Sequence, residues 1–441
     1  MEKFSYLQAA AYLDKSIIFG IKPDLLRINE ILRQLGSPHK KTSFVHIVGS
    51  NGKTSTTIMT ACILQGQGLR SGYNISPHIN DYTERLWYCG KSIEKERFAG
   101  VFNSIYPYIL KVNKMDLGGA LTQFEILAAM AFNLAAEAKL DVMVLEAGMG
   151  GRWDATNAAD AIVAGLTGVS LEHTAILGKT IKEIAVEKAQ VIKDNSAVVT
   201  ASSDPDVLEV LQNRVKETGS RLFIYGRDFK ITRQKKDFLN GWNVDIHGLK
   251  GIYKDLSINL IGNYQPVNAS LAVALSELYL ESIGRKIDEE NLRSSLCKVR
   301  VPGRFEVLSK DPIVIADASH NPEGINNFIK NINENFKDKK KIIIFSVLKD
   351  KDYKKMLSAI VEVSDVLILT SSNTTRSLPI EILKKELYKL LGAKKAAGKH
   401  MPAEIFEMDS ISNSLKFALK ISGSDDIICI TGSITNLEHI L

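Results

Sequence analysis

Short apolar runs separated by longer amphipathic stretches organise most of the chain. Residues 44–48, 72–75, 141–146, 161–166 and 197–200 are dense in apolar and β-branched side chains and predict short buried strands. Between and around them, apolar positions recur at helical spacing over 6–13, 23–35, 94–109, 122–138, 180–192 and 206–217. In 23–35 the side chains Leu25, Leu26, Ile28, Ile31, Leu32 and Leu35 make one stripe, with Pro23 placed for a first turn and Gly36 to close it. Strands alternating with helices predict right-handed βαβ units and a mainly parallel sheet. Residues 221–260 break this rhythm. Short runs at 242–247 and 256–260 sit among turn residues and predict a small antiparallel patch at the sheet edge. Helices are expected at 265–282 and 288–296. Near residue 297 the pattern restarts, with strands at 313–316, 341–347, 366–370 and 427–430, and helices at 322–335, 353–361, 379–391 and 410–421. The expected fold is α/β. A mainly parallel sheet domain with its antiparallel edge patch spans 1–298, and a Rossmann-like α/β domain spans 299–441.

The strand ends concentrate the polar chemistry, as parallel sheets require of their sites. After 44–48 comes Gly49-Ser50-Asn51-Gly52-Lys53-Thr54, followed by Ser55 and a run able to start a helix. Glycines let backbone N–H groups turn inward, and a helix start adds partial positive charge, so the stretch is an anion cradle. A lysine there meets the outer phosphates, and a Ser or Thr hydroxyl reaches Mg²⁺. The full Walker A spacing would need glycine at position 47, where Ile47 stands. The loop alone also suits a βα turn with an exposed lysine; the strand–turn–helix context favours phosphate binding.

Ser76-Pro77-His78 follows the second strand, Glu146 ends the third, and His173 follows the fourth. A buried strand-end carboxylate is usually paired or bound to metal. Beside a phosphate loop Glu146 is therefore a candidate Mg²⁺ ligand, the alternative being a surface glutamate before a glycine turn. His173 by itself reads as structural, and its place beside Glu146 and Ser76 favours a role in the site. Glu187-Lys188, on composition, reads as a solvated pair on an amphipathic helix. Asp317, His320 and Asn321 follow the first strand of the second domain. They can contact a ribose or base; equally, Asn321 can cap the helix before Pro322.

Composition narrows the class. The chain has 441 residues and a net charge of +6 that is spread along it, and its basic tracts, Lys339-Lys340-Lys341 and Lys394-Lys395, suit solvated faces. No nucleic-acid groove is expected, and the mild positive balance suits anionic small substrates. Cys62, Cys89, Cys297 and Cys429 form no CxxC pair and no zinc spacing, as in reduced cytosolic proteins. Glu2 and Asp14 stand where a signal peptide would be apolar, and the run 126–138 is broken by Asn133 and Glu137. A cytoplasmic protein without membrane segments is expected.

Read in order, many separate motifs resemble those of the folylpolyglutamate synthase/dihydrofolate synthase family, a branch of the Mur ligases. Phe19-Gly20-Ile21-Lys22-Pro23 with Arg27-Ile28 resembles the family's opening helices, and GSNGKTS resembles its GTNGKGS loop. Ser76-Pro77-His78 with Glu84-Arg85, and Phe124-Glu125, resemble its SPH…ER and FFE segments. LEAGMGGRWDATN at 145–157 resembles LEVGLGGRLDATN and is the most specific single stretch. Glu187-Lys188-Ala189, Gln265 with Asn268-Ala269, Pro302-Gly303-Arg304, 317–322, Val347-Leu348 with Asp350-Lys351-Asp352, and Thr431-Gly432-Ser433 resemble later family motifs. Four positions depart from the pattern. Thr54 replaces a glycine, Glu172 an aspartate and Ser319 an alanine, and Asn263-Tyr264 precedes Gln265 where a histidine is common.

The resemblance implies an ATP-dependent amide ligase, with residues 1–298 as its ATP-binding, Mur ligase-like central domain. Gly49, Ser50, Asn51, Gly52, Lys53, Thr54 and Ser55 would hold the ATP phosphates, and Asn268, Arg304, Asp317 and His320 the rest of the nucleotide. Ser76 and Glu146 would bind one Mg²⁺ and His173 with Glu146 a second, with a monovalent cation left open. Lys188 would be carbamylated, and Lys53, His173 and Lys188 would form the catalytic set. Pro77, His78, Phe124, Arg152 and Asp154 are candidate substrate contacts. A folate or dihydropteroate carboxylate would take the γ-phosphate to form an acyl phosphate, and L-glutamate would displace phosphate, in a monomeric enzyme. The rivals are a Mur-type ligase acting on a UDP-linked acceptor, which Thr54 favours, and a non-catalytic P-loop binding module.

Overall fold

The computed structural model describes residues 3–20, 22–237, 239–372, 374–396, 400–438 and 440; Ile21 of the 19–23 run and the side chains of Phe19 and Lys394 lie outside the described residues. The chain forms two compact units. The first comprises Met1–Lys235, Trp242–Asn259 and Tyr264–Val299, and the second Lys236–Gly241, Leu260–Asn263 and Arg300–Leu441.

The first unit is built on an eight-stranded sheet. Its strands are β1 (Ser43–Val48), β2 (Ser71–Asn74), β3 (Leu86–Tyr88), β4 (Lys91–Ser92), β5 (Val142–Glu146), β6 (Val163–Leu166), β7 (Ala197–Thr200) and β8 (Arg221–Ile224), in the order β4-β3-β2-β5-β1-β6-β7-β8. Pairing is parallel from β2 through β8, and β3 and β4 add an antiparallel edge. Ile47 pairs with Glu146 on one side and Gly165 on the other, so the ends of β1, β5 and β6 lie level. Alternation of side chains splits the two faces. Phe44, Met143 and Leu145 pack with Phe98, Phe102 and Phe132, and Val48, Ala164 and Val198 pack with Ala185 and Leu211. On the other face Gly165 lies under Leu275 of the helix Gln265–Ser282; a Cβ there would come within 3.0 Å of it.

Two expectations are corrected. The helix expected over 23–35 spans Leu26–Gln34, because the Asp24 carboxylate takes the Leu26 N–H at 2.9 Å and leaves Pro23 outside. Residues 221–224 are a parallel strand of the main sheet, and the antiparallel patch is a separate three-stranded sheet. It consists of β9 (Lys230–Asp237), β10 (Gly241–His247) and β11 (Ile252–Ile258), in the order β11-β10-β9. The strand β9 reads KITRQKKD and is mostly exposed, so it carries no apolar alternation.

The second unit holds a six-stranded sheet of β12 (Glu306–Lys310), β13 (Ile313–Ala316), β14 (Lys341–Phe345), β15 (Val366–Leu369), β16 (Glu404–Glu407) and β17 (Ile427–Thr431), in the order β12-β13-β17-β14-β15-β16. Only the β12–β13 pair is antiparallel. The four strands from β13 to β15 are fully buried, as the sequence runs predicted; β12 and β16 are half-exposed edges that the runs did not mark. Ile315, Ile343 and Phe345 pack with Phe328, Ile360 and Leu387 in its core.

Candidate active site

The loop after β1 is shaped by close approaches. Gly49 has φ +145°, and a Cβ there would lie 1.9 Å from Thr167 Oγ1. Gly52 has φ +84°, and its Cβ would lie 2.7 Å from Asn268 Oδ1. Both positions therefore need glycine on space as well as on dihedral. The Ser50 N–H donates to Gly168 O at 2.8 Å, and Thr167 Oγ1 donates to Asn51 O at 2.6 Å. The loop is thus clamped between the end of β6 and the helix Gln265–Ser282. Gly52 then caps the helix Lys53–Gly66, whose first N–H groups form the cradle.

Lys53 Nζ donates to Gly49 O at 2.9 Å and Ser50 O at 3.0 Å, folding back over its own loop. Thr54 Oγ1 donates to Glu146 Oε1 at 3.0 Å, and the Ser76 N–H reaches Glu146 Oε2 at 3.4 Å. Glu146 itself is 2% exposed. Three strand ends, those of β1, β2 and β5, thereby meet at one carboxylate. Ser55 Oγ accepts from Gln265 Nε2 at 3.2 Å, and Gln265 Oε1 accepts from Asn268 Nδ2 at 3.1 Å, which fixes Asn268 against Gly52.

Lys188 is not the solvated residue that composition suggested. It is 2% exposed on the helix Ile181–Ala189, because Gly151 crosses that helix so closely that a Cβ would meet Lys188 O at 2.8 Å. Its Nζ donates to Gly49 O at 2.9 Å and to Glu172 Oε1 at 2.8 Å. The same Glu172 oxygen accepts from Ser50 Oγ at 2.8 Å. Burial alone would raise the Glu172 carboxyl, but Lys53 and Lys188 outweigh it and hold it down to about 2. Burial pulls Lys188 below the ordinary lysine range, opposed by Glu172. His173, next in sequence, is exposed, with φ +47°.

The expected substrate contacts divide. Asp154 is buried and committed to its own turn, accepting from the N–H groups of Met149 and Thr156, and burial raises its carboxyl. Arg152 pairs with Glu187 at 3.0 Å. Phe124 lies against Gly148, where a Cβ would come 2.7 Å from the ring. Pro77 is exposed. His78 Nδ1 accepts from Arg85 Nε at 2.8 Å, and burial, with Arg85, pushes it down to about 4. Glu84 accepts from the N–H groups of Ile79, Asn80 and Asp81, so the SPH…ER segment is a self-braced loop that holds Ser76 in place. Beside the glycine-rich turn lies a cavity of about 680 Å³ lined by Lys22, Met149, Trp153, Ile176, Leu177 and Glu187, among others.

In the second unit Asp317 is buried and accepts from the N–H groups of Phe305 and Ser319, each at 2.9 Å. Burial raises its carboxyl, and the Arg304 charge opposes that. His320 Nδ1 lies 3.0 Å from Ala318 O, and Asn321 caps the helix Pro322–Asn335 through the Gly324 N–H. Sequence reasoning missed Thr167 and Gly168, although they follow β6 directly at the same sheet edge, and noted Glu172 only as a departure.

The Mur ligase middle domain model matches residues 91–276, and the Mur ligase glutamate ligase domain model matches 303–434. A Bacillus subtilis dihydrofolate synthase/folylpolyglutamate synthase is 31% identical over 438 residues, covering 99% of this chain and 98% of the relative. The chain belongs to the folylpolyglutamate synthase/dihydrofolate synthase family of Mur ligases. Solved members of this family share its architecture. A Mycobacterium tuberculosis folylpolyglutamate synthase complexed with ADP superposes with a TM-score of 0.90 at 30% identity, covering 98% of this chain and 96% of that one. An FPGS–AMPPCP–folate complex superposes with a TM-score of 0.82 at 26% identity, covering 99% and 98%. The two-domain α/β fold read from the apolar pattern is the fold of this family.

Proposed function

We propose that this folylpolyglutamate synthase/dihydrofolate synthase family member is an ATP-dependent amide ligase that joins L-glutamate to a carboxylate of folate or dihydropteroate. The observation that carries this is the clamped glycine loop opening onto the helix Lys53–Gly66, in a chain that matches folate ligases end to end. The loop N–H groups and Lys53 receive the triphosphate, Lys53 exchanging its loop carbonyls for phosphate oxygens. The acceptor carboxylate attacks the γ-phosphorus in line, releasing ADP and leaving an acyl phosphate. The glutamate amine then attacks the acyl carbon, phosphate leaves, and the amine loses a proton. Neither step needs a protein nucleophile; both need positioning and neutralised charge.

Mg²⁺ fits the donor set. Among the described residues no three His, Cys, Asp or Glu side chains gather as a metal site. Glu146, whose carboxylate takes the Thr54 hydroxyl and the Ser76 N–H, offers together with Thr54 Oγ1 the hard oxygen donors that Mg²⁺ takes alongside phosphates. Bound there, Mg²⁺ would neutralise charge on the transferring phosphoryl group. The carbamate that the resemblance implies for Lys188 would form on Nζ, which here donates to Gly49 O and Glu172 Oε1. No step runs through it. The cavity beside Trp153 is within the size range of small-molecule sites and pairs an exposed aromatic face with Lys22, as a flat acceptor with an anionic tail requires. A cytoplasmic location belongs to the same proposal and is supported by the free cysteines among the described residues.

The test supplies ATP and glutamate with dihydropteroate, a reduced folate monoglutamate or a UDP-muramyl acceptor in turn. Glutamate-dependent ADP release with a pterin acceptor is expected. Turnover with the UDP-linked acceptor alone would overturn the assignment, and ATP binding without any ligation would favour the binding-module reading.

A further inference from the structure

Arg85 is a buried cation at the carboxyl edge of the main sheet, and the ligation steps above leave it without a task. It stands just before β3, and its carbonyl takes the Ile75 N–H at 3.0 Å where β2 runs out. Since β2 lies between β3 and β5, Arg85 is two strands, about 10 Å, from Glu146 along the same edge. Arg85 is 7% exposed. Its Nε donates to His78 Nδ1 at 2.8 Å, and its guanidinium carbon lies 5.5 Å from the centre of the Tyr82 ring. These contacts orient the planar fork without supplying a counter-charge. Among the described residues Nη1 and Nη2 donate no hydrogen bond, and no carboxylate oxygen lies within 4 Å of the guanidinium. The carboxylates nearby hold other donors. Asp14 takes the Tyr82 hydroxyl at 2.6 Å, Glu84 takes the N–H groups of Ile79, Asn80 and Asp81, and Glu146 takes Thr54 and Ser76. Burial pulls the guanidinium down to about 10, opposed by Tyr82 and those three carboxylates. A buried cation without a paired anion is costly to a fold, and a guanidinium fork matches the two oxygens of a carboxylate. In-line transfer brings the acceptor carboxylate to the γ-phosphorus from the side opposite the leaving ADP. The cradle is on β1, Glu146 on β5 and Arg85 beyond β2, in that order along the edge. Lys22, at the cavity wall, already gives Nζ to Gly118 O at 2.8 Å.

We propose that Arg85 is a substrate-binding residue that grips the carboxylate of the acyl acceptor with Nη1 and Nη2. This rests on the ligase reading and adds a residue to it. A fork that takes one lone pair from each oxygen leaves others for the attack on phosphorus. The test measures binding by calorimetry on the full-length chain with Mg²⁺ and AMPPCP, which is not cleaved. The probe is dihydropteroate or a reduced folate monoglutamate, whichever the ligation assay selects, beside the same molecule with carboxamide in place of carboxylate. The unsubstituted chain is expected to bind the acid about tenfold to a hundredfold more tightly than the amide. Folded Arg85→Gln should lose most of that preference, and Arg85→Lys, which keeps the charge and loses the fork, should retain part of it. AMPPCP affinity should stay within about twofold in both variants, since the cradle does not use Arg85. Equal binding of acid and amide by the unsubstituted chain overturns the proposal without any variant. A full preference retained in Arg85→Gln overturns it too, leaving Arg85 as a brace for His78 and Tyr82. A loss confined to AMPPCP would assign the fork to phosphate, and a rise confined to the KM for L-glutamate would assign it to the incoming amino acid; either result overturns the acceptor assignment. A chain that binds AMPPCP and neither pterin acceptor fails the ligase reading as a whole, whereas the variant results fail Arg85 alone.

Discussion

Thr54→Val removes one hydroxyl from the phosphate loop while keeping the branched shape of the side chain. In the folded chain that hydroxyl donates to Glu146 Oε1 at 3.0 Å, and Glu146 is 2% exposed. A hydrogen bond to a charged group contributes about 1.5–3 kcal/mol. Valine leaves the carboxylate with its contact to the Ser76 N–H, a longer bond at 3.4 Å. If Glu146 serves Mg²⁺, the loss falls on its orientation. Removing the partner that orients a metal ligand typically costs 10-fold to 100-fold in metal affinity, roughly the same free energy. Half-saturating Mg²⁺ should therefore rise by about one to two orders of magnitude. The assay follows ADP release with a reduced folate and glutamate while Mg²⁺ is titrated at fixed ATP. Thr54→Ser, which restores the hydroxyl, should return most of the affinity. A Thr54→Val enzyme whose half-saturating Mg²⁺ matches that of the unsubstituted chain would falsify the role of Thr54 in orienting Glu146 toward Mg²⁺.

Other positions give independent checks. Lys53→Ala should abolish product formation with an unchanged circular dichroism spectrum; near-normal turnover would remove the phosphate role of Lys53. Gly52→Ala meets Asn268 Oδ1 at 2.7 Å with φ at +84°, so it should cost about 2–4 kcal/mol in urea denaturation from strain and overpacking. Adding Asn268→Gly should relieve only the steric part, and a double mutant no more stable than the single would contradict this. Burial holds His46 near 3 and, with Arg85, His78 near 4, whereas an unfolded histidine takes its proton near 6.5. The unfolded state therefore binds the extra protons as pH drops below 6.5, and stability is lost down to about pH 4 through His78 and about pH 3 through His46. At pH 5 each should cost roughly 2 kcal/mol relative to pH 7.5. His78→Gln should flatten that dependence, and equal urea midpoints for both proteins at both pH values would argue against it.

How much of this was legible in the sequence follows from how local each constraint is. Gly49, Gly52, Lys53 and Thr54 are contiguous, and the strand and helix around them are signalled by their own apolar pattern, so the cradle could be read directly. The burial of Lys188 could not. It depends on Gly151, far away in sequence, crossing the helix at contact distance. The role of Glu172 was hidden for the same reason, since its partners Ser50 and Lys188 come from two different connections. Asp154 looked like a substrate contact because the resemblance placed it in a functional motif. Its Asp-Ala-Thr spacing also spells a local cap, with the carboxylate taking the Thr156 N–H, and that signal was available. The strand β9 was invisible because its lysines and arginines lie on an exposed strand with no core face to mark.

The arrangement of charge explains why the site carries two lysines and a glutamate around one carbonyl. Lys53 and Lys188 both donate to Gly49 O at 2.9 Å, so the two ammonium groups stand within two hydrogen-bond lengths of each other. Two like charges at about 5 Å repel by roughly 3 kcal/mol at an effective dielectric near 20. Glu172, ionised and bonded to Lys188, offsets most of that repulsion and leaves the cluster with a net charge of about +1. The uncompensated charge belongs to Lys53, whose bonds are to loop carbonyls that it can exchange. A triphosphate entering the cradle meets N–H groups already turned inward and a cation whose release costs only two neutral hydrogen bonds. Neutralising Glu172 would leave two competing cations beside Gly49 and pull Lys188 toward the phosphates. In the folded chain that carboxylate keeps Lys188 paired beside Gly49 O and leaves Lys53 as the uncompensated cation.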